Sequence, residues 1–221
     1  MEYRVEDKYL VTDTQIEYLK LKLKECMQFD ANSSDGTYLI RSLYFDDRYN
    51  SCLMANENSV DKRYKYRIRT YNNELSTIHL EKKSVNKGFV HKDSCPIDIS
   101  RVKNIDAPRK EDDYLYKCLY ADVTLRGFRP VSIVEYERTA FVEKAGNVRI
   151  TFDRNISGCP DTDKFTDSVL PTVPLLPAGV HILEVKYDEI LPGYIKRIID
   201  TGMFSKTSYS KYYYSRNITV M

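Results

Sequence analysis

The sequence has few of the residues on which most metal sites and nucleophilic enzymes depend. Its three histidines, His79, His91 and His181, are widely spaced and share no local motif. The five cysteines form no CxxC pair, and their odd number argues against a disulfide framework or a zinc site. Because scattered thiols are typical of a reducing compartment, we expect a cytoplasmic protein in which most cysteines are small apolar fillers.

Long apolar runs and glycine-rich loops are also missing. No stretch approaches the roughly 18 consecutive apolar residues of a membrane-spanning helix, and the N-terminus lacks the apolar core of a secretion signal. The motifs GxxxxGK, GxGxxG and GxSxG do not occur, which excludes the usual nucleotide-binding loops and the esterase nucleophile elbow. Any chemistry must therefore depend on carboxylates, lysines and arginines.

The composition is that of an ordinary globular protein. Of the 221 residues, 30% are charged and 42% hydrophobic, and the formal net charge is +2. This balance argues against disorder, and the length is enough to bury a sizeable core, so we predict one domain over residues 1–221. A diffuse basic surface for nucleic acid would give a higher net charge, so we expect no nucleic-acid partner.

Hydrophobic periodicity and turn residues predict a mainly β protein of the α+β class. Helical spacing of apolar residues occurs in three segments, at residues 14–26, 111–121 and 193–201. Eight segments have strand patterns, near residues 2–11, 38–46, 62–71, 76–84, 88–98, 131–143, 147–153 and 180–188. Residues 49–54 are predicted to form a capped turn, Tyr212–Tyr214 to pack across strands, and the proline-rich segment 155–179 to form a long loop.

The predicted strands carry ionic side chains on one face repeatedly. Successive side chains of a strand point to opposite faces, so Lys65, Arg67 and Arg69 share one side of their strand. Five other strands have similar groups, at Arg4, Glu6 and Lys8; Glu81 and Lys83; Tyr136 and Arg138; Arg149, Thr151 and Asp153; and Glu184 and Lys186. For one strand, a charged face exposed to solvent is the ordinary explanation. Six such strands together require a different explanation.

Closing the sheet into a barrel would place the charged side chains in its lumen and the apolar ones outside, against the helices. Unpaired charge is costly to bury, so a charged lumen is reasonable only if it is wet and holds a polyanion. The low net charge fits this arrangement, because the basic residues would be concentrated inside. The sequence therefore predicts a barrel with a basic lumen and flanking helices.

An ordered set of short motifs is similar to one known family. The motifs are RVEDKYLV, RSLYFDD, KYRIRTY, LEKK, EYERTAF, VRITFD, ILEVKYD and SYSKY, and they lie between residues 4 and 212. In these motifs the chain resembles the catalytic domain of the vacuolar transporter chaperone (VTC) family, the polyphosphate polymerases among the triphosphate tunnel metalloenzymes. The resemblance implies an eight-stranded antiparallel β-barrel whose basic tunnel binds triphosphate and polyphosphate.

The resemblance also implies roles for individual residues. It places at the reaction centre Arg67, Arg69, Arg138, Arg149 and Lys186. It implies phosphate or polyphosphate binding by Lys8, Lys83, Lys92, Tyr136, Ser210 and Lys211, with Lys87 as the alternative to Lys92. Glu184 corresponds to the metal-binding carboxylate, for Mn²⁺ or Mg²⁺, which suits ligation by oxygen alone. Glu6 and Glu81 are either secondary metal ligands or neutralise neighbouring cations.

One residue departs from the related adenylate cyclase and thiamine triphosphatase branch, which has ExExK on its first strand. This chain has Arg4 in place of the first glutamate and therefore reads RxExK. The change removes one carboxylate that could hold a metal. It favours the polymerase branch, with a metal site that rests mainly on Glu184.

The resemblance implies transfer of the ATP γ-phosphate to a growing inorganic polyphosphate chain. Phosphoryl transfer depends on positioning and charge neutralisation, and the planar fork of arginine can hold two phosphate oxygens. The acceptor oxygen of the chain is already ionised, so no general base is expected. Because Arg138 is expected to act on phosphate, Arg138→Ala should abolish synthesis without unfolding the domain.

Other activities remain compatible with the sequence. A tunnel triphosphatase would use the same residues but admit water, and Arg4 argues mildly against it. A non-catalytic module that binds polyphosphate or nucleotide would keep the basic lumen without turnover. An RNA-processing triphosphatase would bring more paired carboxylates than this sequence contains.

Overall fold

The computed structural model describes residues 4–30, 36–87, 89–200 and 202–218. Its strands are β1 (Arg4–Thr12), β2 (Gln28–Phe29), β3 (Thr37–Asp46), β4 (Lys62–Tyr71), β5 (His79–Asn86), β6 (Phe89–Pro96), β7 (Arg129–Glu143), β8 (Val148–Cys159), β9 (Val173–Pro174), β10 (Val180–Asp188) and β11 (Ser205–Lys206). Its helices are α1 (Asp13–Leu23), α2 (Ser51–Glu57), α3 (Ser100–Lys103), α4 (Tyr114–Arg126), α5 (Gly193–Ile199) and α6 (Lys211–Arg216). The predicted mainly β chain with flanking helices is confirmed.

The hydrogen-bonded strands form a sheet in the order β11-β1-β10-β8-β7-β3-β4-β5-β6, with β2 beside β7 and β9 beside β8. The pairs whose register is defined are antiparallel. Within the described ranges this sheet has eleven strands and is not closed, so an eight-stranded barrel is not confirmed. The three additional strands, β2, β9 and β11, have two residues each, too few to show an alternating pattern.

Three helix boundaries have clear local causes. Thr12 caps α1 through a capping box, in which its hydroxyl accepts from the Gln15 N–H and the Gln15 side chain accepts from the Thr12 N–H. Helix α4 begins later than predicted because Asp113 is its N-cap and accepts from the Leu115 N–H at 2.7 Å. It ends at Gly127, which has a φ of 69°, a left-handed conformation that glycine adopts without strain.

Helices α2, α3 and α6 were not predicted. Of the capped turn predicted at residues 49–54, Asn50 is the N-cap of a helix, and from Ser51 onward the segment is α2. The carboxylate of Asp46, at the end of β3, accepts hydrogen bonds from the N–H groups of Cys52 and Leu53. These N–H groups lie in the first turn of α2 and have no partner within the helix. The predicted packing of Tyr212–Tyr214 across strands is wrong, because these residues lie on α6.

The chain forms two compact units. The first unit comprises Met1–Leu39, Tyr136–Ile156 and Leu176–Tyr209, and the second comprises Ile40–Glu135, Ser157–Leu175 and Ser210–Met221. Both contain parts of the charged strands on which the sequence-based prediction depends.

In the first unit, β1, β8 and β10 bury one face against α1 and α5. The core combines strand residues such as Ile150, Leu183 and Val185 with the helix residues Leu19 and Ile195, all at most 2% exposed. The predicted packing of helices on the apolar strand faces is therefore confirmed here. The opposite face of these strands carries the ionic residues.

In the second unit, β4, β5 and β6 bury one face on the side of α4. Tyr66, Ile68 and Leu80 are fully buried, and α4 contributes the buried residues Leu115 and Leu119. Helix α4 contacts both β5 and β6. As in the first unit, the other face of the strands carries arginines and lysines.

No helix within the described ranges is long and apolar enough to cross a membrane.

Candidate functional site

The polar faces of β1, β8 and β10 bring predicted site residues of the first unit together. Lys8 lies opposite Glu184, Glu6 opposite Lys186, and Lys186 opposite Arg149. Side chains directly opposite each other in antiparallel strands share a face. We call this group, with two residues of β7 and one of β8, the first-unit cluster. Its members are Glu6, Lys8, Tyr136, Arg138, Arg149, Asp153, Glu184 and Lys186.

Two glutamates contact the lysines of the first-unit cluster, and one of them, Glu6, bridges Lys8 and Lys186. The Lys186 Nζ lies 2.8 Å from a Glu184 oxygen and 3.8 Å from a Glu6 oxygen. The other Glu6 oxygen lies 3.2 Å from the Lys8 Nζ, which also donates to the Tyr209 carbonyl at 3.3 Å. Glu6 therefore neutralises two lysines, as one of its two predicted roles requires.

Arg138 binds a carboxylate that the sequence-based assignment omitted. Its Nε and Nη2 donate to the two oxygens of Asp153 at 2.6 and 2.8 Å, and its Nη2 lies 3.6 Å from Glu184. Arg138 is 8% exposed and Asp153 is fully buried. Burial opposes the charge on Arg138, but Asp153 outweighs it and raises the pKa of the guanidinium well above its usual value. Alternation along β8 had placed Asp153 on this face but could not give its partner.

This pair changes the expectation for Arg138→Ala. Removing one partner of a buried ion pair leaves the other charge without compensation. The variant is therefore expected to lose folding stability, and the sequence-based expectation that it leaves the fold intact does not fit this geometry. Tyr136 packs beside the pair, with its ring centre 5.3 Å from the guanidinium carbon of Arg138.

Arg149 also has partners that no motif indicated. Its Nη2 donates to Asp30 at 2.6 Å and to the Tyr38 hydroxyl at 3.0 Å. Burial raises the pKa of Tyr38, so this phenol stays protonated at neutral pH. Asp30 follows β2, a strand too short to be recognised from the sequence, so no pattern placed Asp30 near Arg149.

The second unit contains a group of cations around one carboxylate. Arg67 lies opposite Glu81 and donates from Nε to its Oε2 at 2.6 Å. The Lys92 Nζ lies 2.7 Å from the other Glu81 oxygen, and the Arg69 Nη1 lies 3.7 Å from Oε2. Burial raises the pKa of Glu81, but Arg67, Arg69 and Lys92 outweigh it and lower the pKa to about 2. Glu81 therefore remains ionised and holds three cations on one face.

Three lysines lie side by side next to this group. Lys65 is opposite Lys83, and Lys83 is opposite Lys92, so the row crosses three adjacent strands. Like charges directly opposite each other destabilise a sheet, which makes negative charge at this face favourable. We call Lys65, Arg67, Arg69, Glu81, Lys83 and Lys92 the second-unit cluster.

The predicted Ser-Lys pair lies at the start of α6. Ser210 is the N-cap of this helix, and its hydroxyl accepts from the Tyr213 N–H at 3.4 Å. Lys211 follows as the first helical residue and is partly buried. The next residue, Tyr212, is buried and lies 5.8 Å from the Lys65 Nζ, measured to its ring centre. Ser210 thus has a structural role in addition to the predicted contact with phosphate.

A comparison with known families shows to which family the chain belongs. The sequence profile of the VTC domain matches residues 3–220. This protein belongs to the VTC domain family. The resemblance inferred from the ordered motifs is therefore confirmed over nearly the whole chain.

Solved structures of low sequence identity are similar to this VTC-domain protein. A candidate adenylate cyclase from Bacillus halodurans has 11% identity and a TM-score of 0.49, covering 90% of this chain and 87% of its own. A candidate adenylate cyclase from Vibrio parahaemolyticus has 11% identity and a TM-score of 0.47, covering 91% and 87%. A protein from Pyrococcus horikoshii has 15% identity and a TM-score of 0.44, covering 90% and 85%. No curated protein matches the sequence.

The carboxylates of this VTC-domain protein suit a metal ion only in part. The described residues include no group of three or more histidine, cysteine or acidic side chains that could hold an ion. Glu184 is buried and already contacts Lys186 and Arg138. Magnesium in phosphate-handling sites commonly uses one or two carboxylates and takes further ligands from substrate phosphates and water. Glu184, with Glu6 nearby, fits that kind of site.

Proposed function

We propose that this VTC-domain protein is a phosphotransferase that transfers the γ-phosphate of ATP to inorganic polyphosphate. The observation that carries the proposal is the second-unit cluster, where three cations share Glu81 beside a row of lysines. A surface of this kind favours a ligand with closely spaced negative charges. The eight-stranded tunnel implied by the resemblance is part of the proposal, supported by the one-sided charge of the strands in each unit.

Arg67 and Arg69 would hold phosphate oxygens in this reaction. Glu81 accepts from Nε of Arg67 and so orients the guanidinium, whose planar fork suits phosphate oxygens. Lys65, Lys83 and Lys92 would act as point charges along the chain. Such positioning and neutralisation is the main contribution that a protein makes to phosphoryl transfer.

The transfer itself requires no protein nucleophile. A terminal oxygen of polyphosphate attacks the γ-phosphorus, the bond from that phosphorus to the β–γ bridging oxygen breaks, and ADP leaves. The acceptor oxygen is already ionised, so no proton has to be removed. In the first-unit cluster, Asp153 would hold Arg138 in place for a phosphate, and Arg149 and Lys186 would add positive charge.

Glu184, with Glu6 as a second ligand, would hold Mg²⁺ or Mn²⁺ together with phosphate oxygens. When bound, the ion supplies neutralisation of negative charge on the phosphates. Lys8, Tyr136, Ser210 and Lys211 would complete the contacts with ATP or polyphosphate. These assignments rest on the family motifs and on the proximity of Glu184 to Lys186 and Arg138.

Hydrolysis of triphosphate is the second candidate function. The Lys92 side chain is 50% exposed, so the second-unit cluster is open to water. A bound triphosphate could therefore be attacked by water in place of polyphosphate. A module that binds without turnover would have the same residues.

Product analysis with γ-labelled ATP and Mn²⁺ tests the proposal. A polymerase gives ADP and label in long chains that a gel resolves, whereas a triphosphatase gives ADP and an equal amount of labelled orthophosphate. Arg67→Ala should abolish chain synthesis, and Arg129→Ala is the matched control because Arg129 is an exposed arginine of the same unit. Labelled orthophosphate alone, or no turnover with intact binding, would contradict polymerase activity.

A further inference from the structure

A buried tyrosine lies inside the second-unit cluster. Tyr44 of β3 is opposite Arg67, and its neighbour on the same face, Ser42, is opposite Arg69. The Arg67 Nη1 donates to the Tyr44 hydroxyl at 3.5 Å. The ring of Tyr44 packs against that of Tyr212, with centres 5.1 Å apart, and Tyr44 is only 3% exposed. The hydroxyl is therefore fixed beside the arginine that is proposed to hold phosphate.

The groups that face Tyr44 are mostly cationic. From β4 these are Lys65, Arg67 and Arg69, and Glu81 of β5 binds Arg67. From α6 the neighbour is Tyr212, whose hydroxyl is bound to the Asp46 carboxylate. Burial raises the pKa of Tyr44, but the three cations outweigh burial and lower the pKa to about 8. Burial and the bond to Asp46 instead raise the pKa of Tyr212.

We propose that Tyr44 is the proton-exchanging residue of the second-unit cluster, and that its hydroxyl takes up a proton when a phosphate chain binds to Arg67 and Arg69. This inference rests on the proposed phosphate-binding function. The bound chain supplies the negative charge that offsets the three cations, so a second negative charge on Tyr44 becomes unfavourable. The proton comes from the solvent, and the neutral hydroxyl then lies beside Arg67 as a hydrogen-bond donor.

This coupling has a defined direction. Below about pH 8, free Tyr44 is already protonated and binding requires little proton uptake. At higher pH, free Tyr44 is ionised, so binding takes up close to one proton and the apparent affinity falls up to about tenfold per pH unit. A purely structural tyrosine would change neither quantity.

The number of protons taken up on binding can be measured by calorimetry. The intact chain is titrated with tripolyphosphate in two buffers of different ionisation enthalpy. Wild type is compared with Tyr44→Phe, which keeps the ring that packs on Tyr212. The matched control is Tyr38→Phe, since the Tyr38 hydroxyl bonds Arg149 in the first unit and its pKa is raised. We expect wild type to take up about one proton more than Tyr44→Phe at about pH 9, and about the same number at about pH 6.5. Tyr38→Phe should behave as wild type.

Equal uptake by wild type and Tyr44→Phe at about pH 9 would overturn the inference while leaving phosphate binding intact. Absence of tripolyphosphate binding in wild type would overturn the proposed function and the inference together. Ultraviolet absorbance of the tyrosinate gives a measurement that needs no variant. Wild type should lose tyrosinate absorbance when tripolyphosphate is added at high pH, and an unchanged spectrum with demonstrated binding would contradict the role of Tyr44.

Discussion

Arg138 and Asp153 form a buried ion pair in which two nitrogens of the guanidinium contact both carboxylate oxygens, at 2.6 and 2.8 Å. The pair uses one edge of the arginine fork, so Asp153 sets the orientation of the guanidinium. Asp153 is thus a positioning residue in the proposed site. The family motif identified the arginine, and the structure supplies the group that orients it.

Arg138→Ala should destabilise the first unit by about 3–5 kcal/mol, because the buried Asp153 would lose both bonds to the guanidinium. Urea unfolding followed by circular dichroism measures this loss. The double variant Arg138→Met, Asp153→Asn removes both charges and should recover most of the stability. A single variant as stable as wild type would contradict a buried pair in solution.

Glu81→Gln should bind tripolyphosphate about tenfold more tightly at low salt, because the cluster gains one net positive charge. The substitution should also lower turnover, since Glu81 fixes Arg67 and Lys92. Titration calorimetry and product formation separate the two effects. Glu111→Gln is the matched control, because Glu111 is an exposed glutamate of the same unit. Weaker binding by Glu81→Gln would show that Glu81 itself is needed to hold phosphate.

The same substitution should change the dependence of stability on pH. The pKa of Glu81 is lowered from 4.5 to about 2 in the folded protein. A carboxyl with a lowered pKa stabilises the fold at pH values above its unfolded pKa, and this contribution is lost as the pH falls through the folded value. The stability difference between wild type and Glu81→Gln should therefore shrink from about pH 5 towards about pH 2. A difference that stays constant over this range in urea unfolding would contradict the ion cluster.

Lys83→Gln should raise the melting temperature of the ligand-free protein, because Lys83 lies between two other lysines in the row. The same variant should bind tripolyphosphate about five- to tenfold more weakly and with less dependence on salt. Lys103→Gln, which replaces an exposed lysine of the same unit, should change neither property. Unchanged affinity in Lys83→Gln would exclude the lysine row from the binding site.

Glu184→Gln should remove the effect of Mn²⁺ on tripolyphosphate affinity, and metal-free binding should not weaken, because the first-unit cluster loses one negative charge. Replacement of the carboxylate weakens its hold on a divalent ion, whereas the cations of the cluster remain. Titrations with and without Mn²⁺ provide the comparison, with Glu111→Gln as control. An unchanged response to Mn²⁺ would place the metal elsewhere.

Alternation along single strands predicted which side chains share a face. It correctly put Arg67 with Arg69, and Glu184 with Lys186, opposite the apolar residues that pack on helices. It could not show that Arg138 binds Asp153 or that Tyr44 lies against Arg67, because these contacts depend on the register between strands. Register is set by long-range pairing that a single sequence does not display.

Elements that depend on distant partners were missed for the same reason. Helix α2 starts where the Asp46 carboxylate accepts its first N–H groups, and Asp46 also binds the hydroxyl of Tyr212 on α6. Both helices are short, so tertiary contacts decide whether they form. Closure of the sheet is likewise a property of long-range hydrogen bonds, and the alternating pattern alone did not determine it.

The most direct test of the account is the melting temperature of the wild-type protein with and without tripolyphosphate at low salt. Clustered cations repel one another in the free protein, and a ligand at one hundred times its Kd adds about 2.7 kcal/mol of stability. For a chain of this length that corresponds to a rise of about 5–10 °C, which high salt should reduce. No rise at low salt would contradict the claim that these arginines and lysines form a phosphate-binding site.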